Sequence, residues 1–268
     1  MSIFRPKFAK RILDRSAKRR VVDSYLRQPR TAATALIRSS ARPDNFYYGL
    51  TPRNSQHLVE LLAVTFGYHR EHVATVAGEL HESSAVAEAG ARLGVPPRSL
   101  YGRRLGWYVI ARLTRPSFTV ETGVHDGIGA VLLVEALRRN ALEGYPGVYR
   151  GTDIDPTAGW LLQSVDVDAE VLLGDSIKSL QTMAPASVDL FINDSDHSAD
   201  YEYREYQTMT SRLSDRGVIL GDNAHATDSL LTYSRENGRD FIFFDERPLD
   251  HWYPGAGIGI SLKREVVA

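Results

Sequence analysis

Residues 118–134 constrain this chain more than any other stretch. Phe118-Thr119-Val120 has the β-branched and aromatic character that strands favour, and it ends in an acid, Glu121. A glycine turn follows, with Gly123, Gly127 and Gly129, and the apolar run Val131-Leu132-Leu133-Val134 then opens a helix pattern. A strand that passes through glycines into a helix brings the backbone up against a ligand, the device of doubly wound α/β folds. The spacing Gly123-x-x-x-Gly127-x-Gly129 differs from the Gly-x-Gly-x-x-Gly of dinucleotide binders. An acid two residues before the first glycine suits a ligand that offers an ammonium group better than one that offers a pyrophosphate.

From residue 118 onward strands and helices alternate with short connections, as in a parallel sheet covered on both faces. The pattern predicts strands at 118–123, 148–153, 170–173, 188–192 and 217–220. Helices are expected near 128–140, 200–212 and 227–236, and Pro156 is expected to open another. The runs 241–244 and 257–261 are joined by a loop without a helix pattern, so they should form an antiparallel hairpin. The expectation is a doubly wound, mostly parallel, seven-stranded α/β sheet over 116–268, closed by that hairpin. Residues 1–115 form a mainly helical N-terminal region, in which Leu58, Leu61, Leu62 and Phe66 give the stronger amphipathic pattern. Gly94-Val-Pro96-Pro97 marks a break.

Bulk properties exclude several classes. At 43% hydrophobic and 24% charged residues the chain reads as an ordinary globular protein. The absence of cysteine removes disulfides, thiolate metal sites and cysteine nucleophiles. No apolar run reaches the roughly 20 residues of a membrane span, and the N-terminus lacks the apolar segment of a secretory signal, so the cytoplasm is the default expectation. Residues 1–53 nevertheless hold 13 Lys/Arg against 3 Asp/Glu. Such a basic arm can touch nucleic acid, an anionic membrane surface or an acidic partner, and it equally serves as a solvated or partner-docking helix face.

Acids mark the ends of successive strands, where open α/β sheets bind ligands. Glu121 ends the first. Asp153 lies in Gly151-Thr-Asp-Ile-Asp-Pro156 after the second, and Asp175 in Gly174-Asp-Ser176 after the third. Any one of them is accounted for by capping the next helix; three in register are harder to assign to capping alone. Strand four then runs into Asn193-Asp194-Ser195-Asp196-His197, and strand five into Asp222-Asn223-Ala224-His225. Hard oxygen donors of this kind suit Mg²⁺, Mn²⁺ or Ca²⁺ rather than zinc, although loop hydrogen bonding also uses them. Within loop 246–256, Trp252 and Tyr253 can stack on a sugar or aryl ring, or pack at the sheet edge.

The glycine turn resembles motif I of class I S-adenosylmethionine-dependent methyltransferases, in the Glu-x-Gly-x-x-x-Gly form of metal-dependent O-methyltransferases. The resemblance covers roughly 117–263. It implies that the backbone around Gly123 and Gly127 accommodates the methionine part of S-adenosylmethionine, with Glu121 supporting its ammonium group directly or through water. It also implies that Asp153 accepts both ribose hydroxyls, and that Asp175 with Ser176 meets the adenine. The strand-four and strand-five ends are similar to the metal site of catechol- and caffeoyl-coenzyme-A-type O-methyltransferases. On that resemblance Asp194, Asp222 and Asn223 are the metal ligands, Asp196 faces the cofactor's amino group, and the position of their lysine base holds His197. Macrolide deoxysugar O-methyltransferases use a histidine there, which favours a sugar hydroxyl over a catechol. His125 and His225 are weaker candidates for substrate contact. The expected activity is methyl transfer to a hydroxyl of a small molecule or sugar, assisted by a divalent metal. Two alternatives stay open: a metal-independent methyltransferase acting on another nucleophile, and a non-catalytic cofactor-binding module. No Asn-Pro-Pro-Tyr-like tetrapeptide follows strand four, which argues against methylation of nucleic-acid bases. The oligomeric state, homo-oligomer included, is open.

Overall fold

The computed structural model describes residues 47–96, 102–162, 167–222, 224–251 and 253–263. Residues 1–46 of the basic arm, Asn223 and Trp252 therefore lie outside the described residues. The chain divides into two compact units, Phe46–Leu249 with Gly255–Ala268, and Met1–Asn45 with Asp250–Pro254. Within the second, the Tyr253 amide donates to His251 Nδ1 at 3.1 Å.

The first unit opens with helix α1 (Pro52–Phe66), where Thr51 caps the first turn and Gly67 ends the last at φ +70°. Leu58 and Leu62 are buried as their spacing predicts. Helix α2 (Arg70–Gly78), a 3₁₀ turn (Glu79–Glu82) and helix α3 (Ser84–Leu93) follow, the last stopped by Gly94. Helix α4 (Gly102–Thr114) leads to the sheet. The described helices that precede the sheet thus belong to the same compact unit as the sheet.

Strands β1 (Phe118–Thr122), β2 (Val148–Asp153), β3 (Ala169–Leu173), β4 (Val188–Asn193) and β5 (Leu213–Gly221) pair in parallel. Strand β7 (Gly257–Leu262) runs antiparallel to both β5 and β6 (Asp240–Asp245), giving the order β3-β2-β1-β4-β5-β7-β6. The expected seven-stranded sheet with its terminal hairpin is therefore present. Helices α5 (Ile128–Leu142), α6 (Ser176–Thr182), α7 (Ala199–Met209) and α8 (Ser229–Glu236) cover it. One expected element is absent: residues 154–162, which follow β2, form turns rather than a helix. Asp155 Oδ1 accepts both the amide and the hydroxyl of Thr157, an Asx turn that competes with helix formation.

Strand alternation sends successive side chains to opposite layers. Val120, Phe191 and Ile219 pack with Leu180, Tyr206, Met209, Leu230 and Tyr233 of α6, α7 and α8. On the other side α5 is buried at every position from Ile128 to Leu137, because it sits between the sheet and α4. That explains its continuous apolar run in place of a stripe. Arg112 of α4 anchors this layer: its Nε donates to Glu79 Oε2 at 2.9 Å, and its other nitrogens reach Asn140 and Glu143 of α5 and its C-cap. Among the described residues no helix is long and apolar enough to cross a membrane.

Candidate functional site

Strand order reverses at β1, which has β2 on one side and β4 on the other. The crevice above the carboxyl ends of β1 and β4 is where an open sheet of this kind takes a ligand. Two glycines shape its floor. Gly123 has φ +80°, and a Cβ placed there would stand 2.1 Å from the Asp194 carbonyl oxygen, so the loops after β1 and β4 touch backbone to backbone. Gly127 has φ +95° and caps α5; a Cβ on it would lie 2.8 Å from the Gly159 Cα. Between them His125 adopts φ +51°, a left-handed conformation costly for a residue with a Cβ. It is held there by its amide, which donates to Asp153 Oδ2 at 2.8 Å, and by its carbonyl, which accepts from Gly159 N at 2.8 Å.

The predicted site residues now take definite places. Asp153 is half-buried at the end of β2, and its second oxygen accepts the Asp155 amide at 2.9 Å. Each carboxylate oxygen keeps lone-pair capacity for a ligand while the pair of bonds fixes its direction. Asp175 caps α6 through the Lys178 amide at 2.9 Å and accepts from Tyr201 OH at 3.1 Å. Tyr201 also lies 2.9 Å from Ser176 Oγ. These bonds hold the Asp175 carboxyl below its ordinary pKa, the Lys178 amide contributing most. Asp194 is half-buried, with its amide bonded to the Thr122 carbonyl at 3.0 Å. Asp222 is buried, and its amide bonds to Asn193 O at 3.0 Å. Because Asn193 pairs with Gly221 in register, Asp194 and Asp222 leave adjacent strand ends together. Asp196 is exposed and accepts the Ser198 amide at 2.7 Å; His197 and His225 are exposed.

Glu121 is placed unlike the other acids. It is 1% exposed and turns into the layer of α4 and α5, where Tyr149 OH donates to its Oε2. Its Oε1 lies 2.4 Å from where a Cβ on Gly129 would stand, with Trp107 of α4 alongside. Burial pushes its carboxyl up to about 8; the Tyr149 bond and the Arg104 charge oppose the rise, and Asp153 and Asp222 add to it.

A second buried acid, Glu205 of α7, escaped the sequence reading. It underlies the same crevice from the opposite face, where its Oε2 accepts from Ser195 Oγ at 2.7 Å and from Asn193 Nδ2. Burial raises its carboxyl to about 7, against the hydrogen bonds of Ser176, Ser195, Asn193 and Thr122. Glu202, one turn earlier, accepts from Tyr206 OH at 2.7 Å and from Thr227. The detectable signal was an otherwise amphipathic helix whose buried face, Glu202, Glu205, Tyr206 and Met209, carries two acids.

A prediction follows from these two carboxyls. Both hold their proton above the ordinary value of 4.5, so the folded chain binds more protons than the unfolded one between about pH 4.5 and 8. Stability is then highest below this window and falls as pH rises through it. Melting temperature should drop by several degrees between pH 5 and 8.5, and Glu121→Gln and Glu205→Gln should each flatten the fall, an effect on the order of 1 kcal/mol or more apiece. Calorimetry at constant ionic strength that shows the parent's slope unchanged in both variants would disprove it.

Two hard carboxylates at neighbouring strand ends fit a hard divalent cation. Among the described residues, though, no group of three or more His, Cys, Asp or Glu is gathered to hold one. Residues 120–224 match a family model described as a methyltransferase domain. No curated protein matches the chain. Among solved structures, a SAH-bound methyltransferase from Podospora anserina is 17% identical, with 74% of this chain and 97% of that one covered and a TM-score of 0.50. An O-methyltransferase from Bacillus cereus in complex with SAH is 12% identical, covering 71% and 100%, also at a TM-score of 0.50. At such identities these two likenesses speak for the fold. The family match covers the sheet from β1 to the loop after β5, and over that span the chain is similar to a methyltransferase domain.

Proposed function

We propose that this methyltransferase uses S-adenosylmethionine to methylate a hydroxyl group of a small molecule or sugar, with a divalent cation assisting. The observation that carries the reading is the set of acids at the ends of β1, β2 and β3 around a glycine turn at the sheet's reversal point. The complexes with SAH, the product of methyl donation, in the Podospora and Bacillus proteins of like fold support it. Asp153, oriented by two backbone amides, accepts the ribose hydroxyls. Ile154 and Leu173, 79% and 66% exposed beside Asp153 and Asp175, offer apolar surface to the adenine ring. Tyr201 sets the direction of Asp175.

Asp194, Asp222 and Asn223 would hold the cation, Mg²⁺ by preference, with Mn²⁺ or Ca²⁺ as substitutes. When bound, it supplies acidification of an acceptor hydroxyl and helps orient it. His197, exposed three residues beyond Asp194, takes the proton as methyl passes to oxygen by in-line displacement. A metal-independent route, in which the same acids serve loop structure, is the second reading; hydrogen bonding within strand-end loops uses the same residue types.

The test is methyl transfer from labelled S-adenosylmethionine to sugars with vicinal hydroxyls and to catechols, with and without chelator. Transfer lost on chelation and restored by Mg²⁺ supports the full reading; chelator-resistant transfer selects the metal-independent one. Cofactor binding without transfer to any acceptor selects a binding module. Asp153→Ala should weaken cofactor affinity by about 1.5–3 kcal/mol, the worth of hydrogen bonds to a charged group. Calorimetry with unchanged affinity would remove Asp153 from the ribose.

A further inference from the structure

We propose that the cavity between the start of α1 and the end of β6 is an anion site, and that it takes a phosphate group carried by the methyl acceptor. The acceptor assignment rests on the O-methyltransferase reading above; the anion site stands apart from it. The cavity measures about 440 Å³, and it is lined by Arg53 and His57 of α1, by Arg247 after β6, and by the apolar Leu61 and Phe244. Arg53 and His57 lie four residues apart on α1 and so share a face of the helix. Neither makes a hydrogen bond or an ion pair with another described residue. Arg247 is brought to them by its backbone. Its amide donates to Asn54 Oδ1 at 2.9 Å, its carbonyl accepts the Thr51 amide at 2.9 Å, and Asn54 Nδ2 donates to the Asp245 carbonyl at 2.9 Å. Asn54 is 4% exposed, so this clamp belongs to the packed interior and fixes the two elements to each other.

Charge decides what the cavity can take. Among the described residues that line it Asp245 is the one acid, 3.5 Å from Arg247 Nε. Two arginines against one aspartate leave an excess of positive charge before any proton on His57 is counted. A guanidinium fork bonds phosphate oxygens in pairs, and an imidazole adds a further donor. A single exposed guanidinium holds an anion weakly. Donors that converge from two elements on a concave, partly apolar wall have the composition of a small-molecule site.

Sheet register locates the other end of the ligand. Asn193, Gly221, Gly259 and Phe243 form one row across β4, β5, β7 and β6. Strands β5 and β6 both run antiparallel to β7, so they end at the same edge of the sheet. Asp222 leaves β5 just past that row, and Arg247 follows the end of β6 a few residues past it. With neighbouring strands ~4.8 Å apart, β6 stands about 10 Å from β5. A hydroxyl held beside Asp222 and a phosphate held by Arg53 and Arg247 are therefore separated by roughly two strand spacings. A nucleoside diphosphate sugar has that reach, with its sugar over the crevice and its phosphates in the cavity.

The test is calorimetry on the full chain loaded with S-adenosylhomocysteine. Inorganic pyrophosphate and uridine diphosphate glucose are the probes, and methyl glucoside is the uncharged control. Both phosphate probes should bind, and methyl glucoside should bind at least about 10-fold more weakly. Arg53→Gln and Arg247→Gln should each weaken both phosphate probes by about 10-fold, as expected for loss of a charge-assisted hydrogen bond, with affinity for S-adenosylhomocysteine unchanged. The imidazole resonances of His197, identified by their loss in His197→Ala, should shift with uridine diphosphate glucose and stay in place with pyrophosphate, which is too short to reach the ring. Pyrophosphate that fails to bind, or that binds both variants as it binds the parent, would overturn the anion site. Uridine diphosphate glucose that binds through the arginines without moving the His197 resonances would overturn the acceptor assignment. A parent that does not bind S-adenosylhomocysteine would overturn the cofactor reading instead, and the anion site is then read from pyrophosphate on the unloaded chain.

Discussion

Replacing His197 with alanine is expected to lower the rate of methyl transfer by about 10²–10⁴-fold, the usual range for loss of a general base. The imidazole stands on the loop after β4, three residues beyond Asp194, and is solvent-exposed. That loop is well anchored: Asp194 N bonds to β1 at 3.0 Å, Ser195 bonds to the buried Glu205 at 2.7 Å, and Asp196 caps the Ser198 amide at 2.7 Å. A histidine carried on such a frame is tethered near the end of β4 without being buried, so it can exchange protons with water between turnovers. Only the neutral imidazole can accept a proton, and the parent's rate should therefore rise with pH as the ring deprotonates. The alanine variant should lose this limb and keep its cofactor affinity, because no proposed cofactor contact involves the ring. A variant with the parent's rate and pH profile would move the base elsewhere, and His225 would be tested next.

The largest structural effect is expected from Gly123→Ala. Its Cβ would meet the Asp194 carbonyl oxygen at 2.1 Å, the Asp194 carbonyl carbon at 2.6 Å and the Ser195 Cα at 2.7 Å. All three are backbone atoms of the neighbouring loop, so no rotamer change relieves the overlap. The positive φ adds strain of its own. Together these should destabilise the fold by on the order of 3–5 kcal/mol, or roughly 10 °C in melting temperature. Gly144→Ala is the control, since Gly144 has φ +90° with nothing within 4 Å of the added carbon. It carries the backbone strain without the collision. Equal melting temperatures for the two variants would show that the loops after β1 and β4 do not meet as described.

Much of the fold was legible because its signals are local. Alternation, apolar runs and glycine punctuation located every strand, and the missing helix pattern between 244 and 257 foretold the antiparallel end of the sheet. The turn after β2 was not legible. Pro156 reads as a helix start, but residues 157–162 are held from outside: Arg92 donates to the Trp160 carbonyl at 2.7 Å, and Gly159 and Leu161 bond back to the glycine turn. Those partners are far away in sequence, and they decide the conformation.

The candidate site divides along the same line. The chain by itself determined that acids stand at the ends of β1 to β5 around a glycine turn, because strand termini and turn chemistry are set within a few residues. It could not tell which acids open onto the crevice and which turn inward. Glu121 reads like Asp153, yet α4, α5 and Tyr149 enclose it; Glu205 reads like a surface helix acid, yet it is buried beneath Asn193 and Ser195. Burial and charge proximity are properties of neighbours distant in the chain, so they were settled when the layers closed over the sheet.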